Sequence, residues 1–136
     1  RMAMRILPTL ICTPSHTICL SVDDSVYSFG KHEEGAHGHT EVDVIIPQKI
    51  DGLVNIIAIS CGHSHTVCLD RDGSVFSFGS NFYGQLGIKE HSRKTRIRKS
   101  KELAFSSLPL RVELPPITQI SCGYQFTVCL SDDGFL

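Results

Sequence analysis

Cys61-Gly62-His63-Ser64-His65-Thr66-Val67-Cys68-Leu69, followed by Asp72-Gly73-Ser74-Val75-Phe76-Ser77-Phe78-Gly79, occurs three times in this chain in varied form. The earlier copy reads Cys12-Thr13-Pro14-Ser15-His16-Thr17-Ile18-Cys19-Leu20, then Asp23-Asp24-Ser25-Val26-Tyr27-Ser28-Phe29-Gly30. The later copy reads Cys122-Gly123-Tyr124-Gln125-Phe126-Thr127-Val128-Cys129-Leu130, then Asp133-Gly134-Phe135-Leu136. The copies lie 49 and 61 residues apart. A period of about 50 residues belongs to stacked or radial repeat folds, in which each unit buries its apolar faces only against its neighbours.

Within the middle copy, residues 56–61 are short, apolar and β-branched and read as a strand. Gly62 to Ser64 break it, and residues 65–69 form a second strand. Asp72-Gly73 is a hairpin turn, because glycine reaches positive φ at no steric cost. Residues 74–78 form a third strand. Asp24 stands at the Gly73 position in the first copy, and Asp is one of the few side chains that tolerate the left-handed region. Gly79, Gly84 and Gly87 recur as Gly30, Gly35 and Gly38, which marks backbone constraints. A fourth strand is expected at residues 42–47, with its counterpart at residues 112–114. The strands are nearly continuously apolar, so both faces of each sheet are expected to be covered. Sheets arranged around an axis, each packed between two neighbours, satisfy that demand. The fold class is therefore all-β, a partial β-propeller with antiparallel blades of up to four strands and an incomplete ring. No segment has the apolar period of a helical solenoid. The expected divisions are a degenerate first blade repeat at 1–46, a second at 47–108 with an insertion near 89–107, and a truncated third at 109–136.

A chain of 136 residues with 41% hydrophobic content and a net charge of −1 has no overall field that draws it to nucleic acid or membrane. No apolar run reaches the roughly 18 residues of a membrane span. The six cysteines fall at two repeat positions: Cys12 and Cys19, Cys61 and Cys68, Cys122 and Cys129. That regularity predicts small buried reduced thiols, and hence a cytoplasmic or nuclear protein.

The pattern Ile59-Ser60-Cys61-Gly62, His65-Thr66, then Gly79, Asn81 and Gly84-Gln85-Leu86-Gly87, resembles the repeat of the regulator of chromosome condensation family. Pro47 with Ile50, and Pro109 with Val112, extend the resemblance, and Cys122 and Gly123 carry it into the third copy. The first copy departs from it at Thr13 and at residues 31–34. The resemblance implies a seven-bladed propeller, of which this chain holds about two and a half repeats and breaks off within a hairpin. It implies protein partners. The founding member displaces nucleotide from the small GTPase Ran and binds chromatin, and other members carry a ubiquitin-ligase or kinase domain.

Cys61, His63, His65 and Cys68 have the residue types of a zinc site. The third copy replaces His63 by Tyr124 and His65 by Phe126, so these rings are read as packing groups and no metal or cofactor is expected. His32, Glu33, Glu34, His37, His39 and Glu41 are read as a solvated inter-strand loop. No nucleophile–base set or phosphate-binding loop stands out, so no catalytic residue and no enzyme activity is expected. One feature falls outside the repeat: Arg93, Lys94, Arg96, Arg98, Lys99 and Lys101 occupy the stretch that lengthens the second spacing. Insertions in repeat proteins emerge as loops on one face. These six residues are the candidate partner-binding set, suited to an acidic protein or phosphates, with Ser100 a candidate phosphorylation site. The expected function is a non-catalytic protein-interaction module.

Overall fold

The structure is a computed structural model that describes residues 9–31, 35–39, 43–88 and 105–133. Among the described residues ten strands follow one another: β1 (Thr9–Cys12), β2 (His16–Leu20), β3 (Val26–Gly30), β4 (Val44–Lys49), β5 (Ile56–Cys61), β6 (His65–Asp70), β7 (Val75–Ser80), β8 (Phe105–Val112), β9 (Ile117–Cys122) and β10 (Thr127–Ser131). They form three antiparallel meanders in the orders β1-β2-β3-β4, β5-β6-β7-β8 and β9-β10. The first two sheets are four-stranded propeller blades, and the third has two strands among the described residues. Among the described residues there is no helix, and so none long and apolar enough to cross a membrane.

The fourth strands correct the sequence reading. They run over Val44–Lys49 and Phe105–Val112 rather than over residues 42–47 and 112–114. Pro47 and Pro109 therefore sit inside strands. Both strands are the outermost of their sheets and pair on one side only, where a missing N–H costs no ladder bond. The pairing also slips, between Ser28 and Gly30 and between Ser77 and Gly79. The hydrogen-bonded sheets part between Lys49 and Ile56 and between Val112 and Ile117, so the sequence divisions at 46/47 and 108/109 fall inside β4 and β8.

The hairpin turns repeat closely. Asp24 adopts φ 64° where Gly73 has φ 84°. Each of these residues offers its carbonyl to the next sheet: Ile56 N–H donates to Asp24 at 3.2 Å and Ile117 N–H to Gly73 at 2.9 Å. The Asp24 carboxylate is also held by Arg71 across the junction, at 2.6 and 3.1 Å. The Arg71 side chain is 49% exposed, so Arg71→Ala should cost about 0.5 kcal/mol in urea unfolding and less at high salt.

Two apolar clusters lie between the sheets. Ile18, Leu20, Val26, Ile50, Leu53, Ile56, Ile59, Cys68 and Phe78 join the first and second. Val67, Leu69, Val75, Val112 and Ile117 join the second and third. The middle sheet is thus covered on both sides, and five consecutive residues of β6, His65 to Leu69, are buried. The equivalent β2 and β10 alternate instead, because each has one packed neighbour. Coverage of both faces, expected for every sheet, holds in the middle one. The cysteines follow the same rule. Cys68 is buried, Cys19, Cys61, Cys122 and Cys129 are half-buried and Cys12 is exposed, which corrects the uniform burial expected for them. All six are free thiols. Burial pushes Cys61 up to about 12 and Cys68 well above the usual thiol range, so both stay protonated.

Candidate interaction surface

The junctions between sheets are built from one repeated device. His16 Nε2–H donates to the Thr66 hydroxyl at 3.1 Å, and that hydroxyl donates to the Ala36 carbonyl at 2.8 Å. One repeat later, His65 Nε2–H donates to Thr127 at 3.0 Å, and Thr127 donates to the Gln85 carbonyl at 2.9 Å. A hydroxyl whose proton is already committed can only accept from the ring, which fixes the Nε2–H tautomer in both histidines. The two rings differ at the other nitrogen. Thr13 donates to His16 Nδ1 at 2.7 Å, whereas His65 Nδ1 is buried without a partner. Gly62, at the position of Thr13, has no room for a side chain: an added Cβ would lie 2.2 Å from the His65 ring and 2.6 Å from the Gly123 carbonyl. Gly123 stands in the same relation to Phe126, with ring carbons 2.1 Å from an added Cβ. His65 and Phe126 thus lay their rings over their own turns in the same way. His65 adds a bond across the junction that the sequence reading could not specify.

The glycine framework holds the loops at the same end of the sheets. Gly35, Gly38, Gly84 and Gly87 all have positive φ. Ser77 ties the loop down by donating to the Leu86 carbonyl at 2.8 Å, and Ser28 donates in the same way to the His37 carbonyl. His37 is fully buried and packs against His39 with ring centroids 5.4 Å apart, so this pair is not the solvated loop that the sequence suggested. His32, Glu33, Glu34 and Glu41 lie outside the described residues.

At this end the surface departs from repeat chemistry. Phe82 and Tyr83 are 66% and 70% exposed on the turn between β7 and the following loop. The turn is fixed by Gly84 N–H to the Asn81 carbonyl (3.0 Å), Tyr83 N–H to Gln85 Oε1 (2.9 Å) and Leu86 N–H to Asn81 Oδ1 (3.2 Å). Facing it, the His63 ring lies against Tyr124 with centroids 4.6 Å apart and planes tilted by 37°, and the His63 backbone N–H donates to the Tyr124 carbonyl at 3.0 Å. His63 Nδ1 also meets Ser64 Oγ at 2.8 Å. A cleft of about 430 Å³ lies between, lined by His63, Ser64, Ser80, Phe82, Tyr83 and Gln125, with Gln85 at its floor. The sequence signal for this site was available in comparison with the first copy, where Glu33 and Glu34 stand at the positions of Phe82 and Tyr83.

Arg93, Lys94, Arg96, Arg98, Lys99 and Lys101 lie outside the described residues. The chain leaves the described structure at Ile88 and re-enters at Phe105, which pairs with Ser80 on the rim of the cleft. Among the described residues no group of three or more His, Cys, Asp or Glu is placed to hold a metal ion.

The sequence profile of the "Regulator of chromosome condensation (RCC1) repeat" matches residues 23–69 and 72–130, and a second profile of that repeat matches residues 56–85. The mouse (Mus musculus) protein "Regulator of chromosome condensation" is 35% identical over 127 residues, covering 89% of this chain and 28% of the relative. Human WBSCR16 superposes with a TM-score of 0.75 at 21% identity, over 92% of this chain and 30% of that one. Yeast RCC1 (Prp20), solved bound to Kap60, gives 0.74 at 19% identity over 92% and 30%. Prp20p from Saccharomyces cerevisiae, described with its binding to Gsp1p and histones, gives 0.72 at 22% identity over 91% and 31%. The chain spans less than a third of the length of each of these relatives. Its Gly62-x-x-His65-Thr66 turn with varied copies at Thr13 and Gly123, its four-stranded blades and the profile match over most of its length agree: the chain belongs to the Regulator of chromosome condensation (RCC1) repeat family.

Proposed function

We propose that this chain is part of a propeller that acts as a non-catalytic protein-binding module and contacts its partner through the loop end of the second and third sheets. The observation that carries the reading is the pair Phe82 and Tyr83, exposed on a turn fixed by three hydrogen bonds. Large aromatics held rigidly in solvent gain little for the fold and are the residue types that anchor protein contacts. The basic stretch of Arg93, Lys94, Arg96, Arg98, Lys99 and Lys101 lies in sequence between Ile88 and Phe105, and Phe105 pairs with Ser80, which lines the cleft; we take the stretch as a second, charged part of the contact. A cytoplasmic or nuclear location fits the free thiols and the family.

A second reading is nucleotide exchange on a Ran-type small GTPase by the longer protein. The yeast relative described with its binding to Gsp1p and histones supports a GTPase or chromatin as partner classes. A regulatory propeller attached to a ubiquitin-ligase or kinase domain is a third. The deciding experiment uses the full-length protein with Ran loaded with a fluorescent guanine nucleotide, and with nucleosomes. The module reading expects binding to a protein partner without accelerated nucleotide release. Release well above background would replace it with exchange activity. Neutralising Arg96, Arg98 and Lys99 to Gln is expected to weaken partner binding by about tenfold at low salt and to flatten its salt dependence. Unchanged affinity together with an unchanged salt slope would remove the basic stretch from the contact.

A further inference from the structure

We propose that Asp51 isomerises spontaneously to isoaspartate through its bond with Gly52, in the strap that joins the first two sheets, and that the product loosens that junction. The inference does not depend on the module reading.

Three Asp-Gly pairs occur in the chain: Asp51-Gly52, Asp72-Gly73 and Asp133-Gly134, the last ending outside the described residues. Glycine has no side chain to hinder its amide nitrogen from reaching the carboxyl before it. The Gly52 nitrogen attacks Cγ of the protonated Asp51 carboxyl group. An N–C bond forms, a C–O bond breaks, and the amide hydrogen leaves with the hydroxyl as water. The five-membered succinimide then takes up water at the former main-chain carbonyl carbon of Asp51, and the bond from that carbon to the Gly52 nitrogen breaks. The chain now runs through the side chain, one methylene longer, with a carboxylate left on Cα. No atom is gained or lost overall, and no oxidant or cofactor takes part.

The environment separates Asp51 from Asp72. Asp51 and Gly52 are both exposed, and nothing lies within 4 Å of a Cβ built on Gly52. Among the described residues neither the Gly52 N–H nor the Asp51 carboxylate makes a hydrogen bond, although the His39 ring feels the charge of that carboxylate. At the other pair, Gly73 N–H donates to the Asp70 carbonyl at 3.2 Å, and the Asp72 and Ser74 N–H groups both donate to Asp70 Oδ1 at 2.9 Å. A Cβ on Gly73 would also lie 3.0 Å from Ile117 N, so the turn is packed against the next sheet. The Gly73 amide must leave its acceptor before it can attack, whereas the Gly52 amide has none to leave.

The position gives the change a consequence. Ile50 and Leu53 flank the pair, are buried, and belong to the apolar cluster that joins the first and second sheets. A methylene added between two packed anchors alters the span that their packing fixes.

The test incubates the full-length protein for several weeks at body temperature and mildly acidic pH, folded and in concentrated urea. Peptide mapping with electron-transfer fragmentation then distinguishes isoaspartate from aspartate at each site. In the folded protein, isoaspartate should accumulate at residue 51 at least about tenfold faster than at residue 72, because only the second amide is held. In urea the two rates should converge, since glycine follows both. Equal rates in the folded protein would overturn the site, and so would isoaspartate that forms at residue 51 only in urea. Asp51→Glu keeps the charge but would have to close a larger ring, and it should block the reaction. The aged folded protein should melt at least about 2 °C below the fresh one, and the aged Asp51→Glu variant should not. Isomerised protein that melts with the fresh sample, or an equal loss in the variant, would overturn the loosening of the junction.

Discussion

Gly79→Ala is expected to abolish cooperative folding of this part of the propeller. Gly79 has φ 108°, a conformation that side chains with a Cβ rarely adopt. An added Cβ would lie 2.4 Å from the Ser64 carbonyl oxygen, 2.7 Å from His65 Cα and 3.2 Å from Ala36 Cα. None of these atoms belongs to a flexible side chain, so relief requires the backbone of two sheets to move. Strain of about 1–3 kcal/mol and overpacking of a similar size together approach the whole stability of a marginal domain. Gly52→Ala is the control. Gly52 also has positive φ, at 83°, but nothing lies within 4 Å of an added Cβ. It should cost about 1 kcal/mol, from backbone strain alone. Urea unfolding followed by circular dichroism separates the two, and equal midpoints for both variants would contradict the close approach at Gly79.

Stability is expected to fall by about 3 kcal/mol between pH 6.5 and pH 4 through His16. Burial pushes His16 down to about 4 from its ordinary 6.5, and the nearby His37, His65 and His63 add to the effect. The folded chain therefore keeps a neutral ring that donates to Thr66 and accepts from Thr13. The unfolded chain takes up a proton below about 6.5. It consequently binds more protons than the folded chain throughout this window, so the contribution is complete above 6.5 and is lost as pH falls towards 4. His65 is lowered by burial as well and acts in the same direction. The Asp23 carboxyl, held below its usual range by hydrogen bonds from Ser21 and Ser25, responds only at lower pH. Urea midpoints at pH 7.5 and 4.5 measure the loss, and His16→Gln should flatten the difference whatever it does to the midpoint at neutral pH. An equally steep profile in that variant would exclude His16 as its source.

Much of this was legible because each copy tests the others. The exchange of His65 for Phe126 marks a packed ring, and Gly73 against Asp24 marks a left-handed turn. The fourth strands were misplaced because their signal is poor. Phe105–Val112 carries a proline and alternates irregularly, and a strand that pairs on one side only is under weak sequence constraint. The aromatic cleft was missed for a different reason. Phe82 and Tyr83 fall between recurring glycines, and only their exposure, opposite a turn 40 residues further along, distinguishes them from core aromatics.

The repeat, the antiparallel hairpins and the glycine positions are written in the residues themselves, because turn geometry and strand propensity are local and each copy states them again. Tertiary structure decided which copies are buried. β2, β6 and β10 have closely similar sequences, yet β6 alone has five consecutive buried residues, because only its sheet is packed on both sides. It also decided the partners of the two histidines. His16 and His65 reach hydroxyls 50 and 62 residues away, and no spacing within one repeat specifies a bond that forms only when the next sheet packs against it.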